Sequence, residues 1–185
     1  MINKSLLSLD LNDIQNGINS LDFIESSQVS RILPRTIIIQ VLERKPILLI
    51  TLNEKNLFMD PKGKLIPSDG SSIRFFPVPI VTINDTVESN DRLINQASEL
   101  FTFIFTEYPI FYDNLSEVII DTETWTFLCD SKTKIFTKSD ELLSQINILK
   151  SFEKTVSPNR ELEDYSYIDL RLTEQIVVKE KYRKG

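Results

Sequence analysis

The side chains in this sequence that could do chemistry are few. Asp121-Thr-Glu123 alternates two carboxylates on one face of a short stretch, a spacing that could serve a hard metal ion or an acid/base pair. The competing reading is a solvated hairpin end, because no further hard ligands can be placed beside them. Asp140-Glu141 directly follow Ser139, where acids favour the first turn of a helix through its macrodipole. Arg31, Arg35, Arg44 and Lys45 gather around two early β-type runs, as a cationic patch for a partner or lipid headgroups, or as solvated turn charges. The chain contains no histidine, which removes the commonest general base and the commonest zinc ligand together. Its one cysteine, Cys129, follows Phe127-Leu128 and reads as a small core residue; nucleophilic thiol chemistry needs a base that is missing. No catalytic, metal or cofactor site is expected.

Composition narrows the class further. The 185 residues are 41% hydrophobic and 26% charged, which suits a folded body. A formal net charge of -6 repels phosphate backbones, so nucleic acid is not an expected partner. No apolar run reaches the roughly 18 residues that a membrane span requires, and Met1 to Leu9 lacks the length and flanks of a signal peptide.

The elements follow from periodicity. Asp10 caps a predicted helix, with Asp13 in the position of a capping-box acid and Leu11, Ile14, Ile18 and Leu21 at helical spacing. A short strand is predicted over Gln28 to Ile32, then the strongest β signal of the chain over Thr36 to Glu43, where Ile37, Ile38, Ile39 and Val41 are β-branched. Both faces of that second strand are apolar, which predicts a place inside a helix-covered sheet. Pro46 marks a boundary, giving domains 1–45 and 46–185.

Beyond it come a strand over Ile47 to Leu52 and a hairpin around Asp60-Pro-Lys-Gly63. Residues 67–90, with Pro67, Asp69-Gly70, Pro77, Pro79 and Asn84-Asp85, read as loop or edge strand. A long amphipathic helix carries Leu93, Ala97, Leu100 and Ile104 and stops before Pro109. Strands over Val118 to Asp121, Trp125 to Leu128 and Lys134 to Phe136 follow, with Trp125 as a core anchor. A helix opening at Ser139 carries Leu142, Ile146 and Leu149. A final hairpin pairs Tyr167 to Leu172 with Gln175 to Lys179. Strands and helices mix without βα alternation, so the class is α+β with mainly antiparallel sheets.

That last hairpin is the most informative segment. Ile176 and Val178 share one face of the strand and Val177 takes the other. The strand either packs inward or leaves an edge whose free amides and carbonyls can take up an extended peptide. The residues placed at such an edge are Tyr167, Leu172, Thr173, Gln175, Ile176, Val177, Val178 and Lys179.

Five stretches in this order resemble the bacterial cell-division family FtsQ/DivIB. Leu21-Asp-Phe-Ile-Glu-Ser-Ser-Gln-Val-Ser-Arg-Ile-Leu-Pro34 and the strand up to Glu43-Arg-Lys-Pro46 are similar to the second half of its POTRA domain. Phe58-Met-Asp-Pro-Lys-Gly63 resembles its hydrophobic–Asp–x–x–Gly turn, Trp125 its strand tryptophan, and Tyr167-Ile-Asp-Leu-Arg171 its Asp-Leu-Arg signature. The resemblance implies a partial POTRA-type αββ unit followed by a curved β domain with two helices. It implies a non-enzymatic scaffold of the divisome, acting in septation during the cell cycle. Its partners would be FtsB and FtsL, or DivIC, bound by strand addition at the last strand. It also implies a single-pass inner-membrane protein with this region on the periplasmic side, the membrane helix and the first strand and helix of the POTRA domain lying ahead of Met1. Three departures bear on side-chain contacts: Leu172 where an aromatic is common, Ile176-Val-Val-Lys-Glu180 where small residues occur, and Glu123 where some members carry arginine. A POTRA-bearing chaperone or translocation module for outer-membrane clients, using the strand around Thr36 to Val41, is the alternative.

Overall fold

The computed structural model describes residues 8–52, 55–68, 76–83, 90–157 and 159–182. The chain divides into two compact units, Met1–Lys45 and Pro46–Gly185.

In the first unit, helix α1 (Leu11–Asn19) starts where predicted, because the Asp10 carboxylate accepts the amides of Asn12 at 2.8 Å and Asp13 at 3.4 Å. Strands β1 (Ile24–Ile32) and β2 (Thr36–Glu43) pair antiparallel, with Val29 opposite Ile39. Ser27 ties α1 to β1: its buried hydroxyl donates to Asn19 Oδ1 at 2.8 Å. Contrary to expectation, β2 does not lie inside a helix-covered sheet. Among the described residues its sheet has two strands, so β2 has a single neighbour there, and Ile38, Ile39, Val41 and Leu42 are exposed, Leu42 by 55%. Apolar character on both faces signalled a strand suited to burial, but among the described residues nothing covers it.

Among the described residues the second unit is built on a nine-stranded sheet. Its strands are β3 (Leu48–Leu52), β4 (Lys55–Met59), β5 (Leu65–Pro67), β6 (Ile80–Ile83), β7 (Leu115–Ile120), β8 (Thr124–Cys129), β9 (Lys134–Lys138), β10 (Tyr165–Asp169) and β11 (Val177–Glu180). They lie in the order β11-β10-β9-β8-β7-β6-β3-β4-β5. Most neighbours are antiparallel; β9 with β10, β3 with β6, and β6 with β7 are parallel. Helices α2 (Asn90–Glu107), α3 (Pro109–Asp113) and α4 (Leu142–Val156) complete the unit, and the fold class is α+β.

The core forms where the apolar stripes of α2 (Ala97, Leu100, Phe101, Ile104) and α4 (Ile146, Leu149) meet the inward side chains of the sheet. Trp125 and Phe127 of β8 are fully buried there. Cys129 ends the same strand, and burial pushes its thiol up to about 12, so it is a core residue. Among the described residues no helix is long and apolar enough to cross a membrane.

Two elements differ from the sequence reading. Strand β6 is a central strand between β3 and β7, where loop or edge strand was expected. Pro77 and Pro79 lie ahead of it, so they cost no ladder bond, and Ile80-Val-Thr-Ile83 is β-branched throughout. Helix α4 begins at Leu142 with Glu141 at its N-cap, not at Ser139. Ser139 instead donates its amide to Glu123 O at 3.0 Å and its hydroxyl to Thr122 O at 3.2 Å, which fastens it to the β7–β8 turn. The Asp69-Gly70 and Asn84-Asp85 turns lie outside the described residues.

Candidate partner-binding edge

Strand β11 closes one end of the large sheet and, among the described residues, has β10 as its single neighbour. The pair runs antiparallel, with Tyr167 opposite Lys179, Ile168 opposite Val178 and Asp169 opposite Val177. The strands are shifted from expectation: β10 ends at Asp169, not Leu172, and β11 begins at Val177, not Gln175. The reason lies in the Asp-Leu-Arg segment. Asp169 Oδ1 accepts the Arg171 amide at 3.0 Å, an Asx-type turn that bends the chain out of the strand. Glu174 takes a left-handed φ of 63° before the chain returns.

The expected site residues therefore separate into three groups. Tyr167, Val177, Val178 and Lys179 lie on the paired strands. Gln175 and Ile176 precede β11, with Ile176 packed partly against the core. Leu172 and Thr173 belong to the connecting turn, and Leu172 is exposed.

Side chains laterally adjacent in a sheet share a face. One such row runs across the core face through Ile50, Val81, Val118, Phe127, Ile135 and Ile168, every one fully buried. It ends on Val178, which is 38% exposed. On the other face, a parallel row runs through Glu117, Leu128, Lys134, Tyr167 and Lys179, and none of these is buried.

Four residues outside the expected site set stand on the two strands next to this edge and the turn beside it: Lys134, Phe136, and the Asp169 and Arg171 of the Asp-Leu-Arg signature. The Arg171 guanidinium donates to Asp169 through Nε at 2.9 Å and Nη2 at 2.6 Å, and lies over the Phe136 ring at 5.1 Å from its centroid. Phe136 in turn meets Tyr167 with centroids 6.3 Å apart. The hydrogen bond from the Arg171 side chain is the main cause that holds the Asp169 carboxyl below its ordinary range, against an opposing effect of burial. The Asp-Leu-Arg signature was the available signal for Asp169 and Arg171.

Beyond β11 the chain is fastened down. Lys181 donates its amide to Asp164 O at 2.8 Å and its ammonium to Ser131 O at 2.6 Å and Thr133 Oγ1 at 3.3 Å. Asp121 and Glu123 sit at the β7–β8 hairpin end, where the Asp121 amide donates to Thr124 O at 3.0 Å. Among the described residues no three acidic or sulfur ligands gather where a metal ion could be held.

The fold and this edge define an α+β chain of two units, the larger built on an open-ended sheet. Comparison with known proteins gives the family. Residues 1–44 match the family model "POTRA domain, FtsQ-type", and residues 45–179 match "FtsQ/DivIB, C-terminal related". The chain belongs to the FtsQ/DivIB family of cell division proteins. It is 27% identical over 81 residues to cell division protein FtsQ of Koribacter versatilis, covering 44% of this chain and 23% of that protein. It is 34% identical over 66 residues to FtsQ of Rickettsia typhi, covering 36% and 25%. It is 36% identical over 69 residues to FtsQ of Rickettsia prowazekii, covering 36% and 26%. The matches thus span about a quarter of the length of these curated relatives. Among solved structures, the major extracytoplasmic domain of the cell division protein DivIB from Geobacillus stearothermophilus aligns with a TM-score of 0.44 at 8% identity, over 65% of this chain and 99% of that one.

Proposed function

We propose that this chain is the partner-holding part of a divisome scaffold. It binds FtsB/FtsL-type or DivIC-type proteins by taking one of their segments as an additional strand beside β11. The reading is non-enzymatic and places the chain on the periplasmic side of the inner membrane, carried by a single-pass anchor. Family membership supports the cell-division role.

The observation that carries strand addition is the interrupted row on the core face. Six fully buried side chains lead outward to Val178, which stops the row half in water. An incoming strand would extend the backbone ladder and bury Val178 against a side chain of its own. Main-chain bonds supply affinity in such a mode, and alternate side chains supply selectivity.

Titration of the purified chain with the extracytoplasmic part of its FtsB-type partner, by calorimetry, tests this. Val178→Asp places a charge on the docking row while leaving the fold unchanged by circular dichroism. The expected loss of affinity is at least about tenfold, the cost of burying an unpaired carboxylate. Unaltered affinity in a folded Val178→Asp chain contradicts the proposal. The exposed apolar strand β2 is the observation that favours the chaperone reading, which predicts indifferent binding of unrelated extended peptides there.

A further inference from the structure

The edge that carries the proposed function also has a charge pattern, and it says which segment should fit. On the outer face, Lys134 and Lys179 flank Tyr167 in one lateral row, so two like charges stand two strands apart across one ring. Among the described residues neither lysine has an ion-pair partner. Two neighbouring acids of the edge are already engaged. Asp169 is held by Arg171 at 2.6 Å, and Glu180, on the opposite side of the strand from Lys179, lies 3.5 Å from Arg160. Lys179 borders a surface recess that Glu163, Asp164 and Glu180 also line, yet among the described residues it forms no ion pair with any of them, so the outer row ends on an unpaired cation at this edge. One residue earlier, on the core face, the buried row ends on Val178.

We propose that β11 selects a partner strand that places an acidic side chain beside Lys179 and an apolar one beside Val178. The two positions are adjacent in the strand, so the partner needs an acid next to an apolar residue within an alternating run, whichever direction it enters. This rests on the strand-addition reading and adds the chemistry of the partner segment. Opposite charges directly across a sheet stabilise it and like charges weaken it. The chain as a whole has a formal net charge of -6, so unspecific attraction would favour a cationic peptide instead. A preference for acid is then a local property of this edge.

Two fluorescein-labelled octapeptides test it by fluorescence anisotropy on the whole chain, one alternating valine with glutamate and one alternating valine with lysine. The glutamate peptide should bind about fivefold tighter, from opposed cross-strand charge terms summing to about 1 kcal/mol. Lys179→Glu should reverse the order. Equal binding, a preference for lysine, or an order unmoved by Lys179→Glu overturns the inference. A third peptide, the glutamate sequence with alternate backbone amides methylated, separates the two levels. If it binds as well as its parent, strand addition itself is wrong. If methylation abolishes binding while no charge preference exists, only the selectivity falls. Failure of both unmethylated peptides to bind overturns both.

Discussion

Asp169 and Arg171 form the most consequential local pair in the larger unit, because the same carboxylate ends β10 and holds the guanidinium over Phe136. The pair makes stability depend on pH in a fixed direction. The Asp169 carboxyl sits below its ordinary value in the folded chain, whereas an unfolded aspartate titrates near about 3.9. Its stabilising contribution is therefore complete above that unfolded value and disappears as pH falls through the lower folded one. In Arg171→Ala, carbon-detected NMR should find the Asp169 titration moved up toward about 3.9, and the variant's stability deficit at neutral pH should shrink in acid. An unmoved titration, or a deficit that persists undiminished in acid, would remove this role. Side chains whose fate depends on burial alone were readable from type: Trp125 and Cys129 lie in the core. The Asp169–Arg171 bond was not, because a period-two spacing reads as continued strand until the turn is seen.

Among the elements, the β4–β5 hairpin shows how a short motif fixes a strand pair. Asp60 is buried and its Oδ1 accepts the amides of Lys62 and Lys64, each at 2.9 Å, while the Gly63 amide donates to Asp60 O at 2.9 Å. Gly63 has a φ of +74°, and a Cβ there would stand 2.7 Å from Ser98 Oγ on α2. Gly63→Ala should therefore cost about 1–2 kcal/mol from the left-handed backbone alone, with more from the contact, seen as a lower midpoint in urea unfolding. A midpoint equal to that of the parent would show that the turn tolerates a side chain. This hairpin and β2 were legible because turn chemistry and β-branched runs are local signals. The position of β6 was not: its prolines suggested an edge, but they precede the strand, and its neighbours are chosen by packing against distant β3 and β7.

For the whole molecule, the α+β class followed from the order of periodicities, but the strand order did not. The parallel pairings β3–β6, β6–β7 and β9–β10 join segments far apart in sequence, which local periodicity cannot pair. What that order decides is which strand is left at the end. At one end it is β5 and at the other β11, which Lys181 fastens on one side and the Asp169 turn on the other; the proposal is that the outer edge of β11 takes up another chain. Hydrogen exchange of the chain, alone and with an FtsB-type protein, reads this edge without any substitution. Exchange is expected to slow over Val177–Glu180 and over one segment of the added protein, with Thr36–Glu43 unchanged. Protection at Thr36–Glu43 with β11 exchanging as before would contradict it.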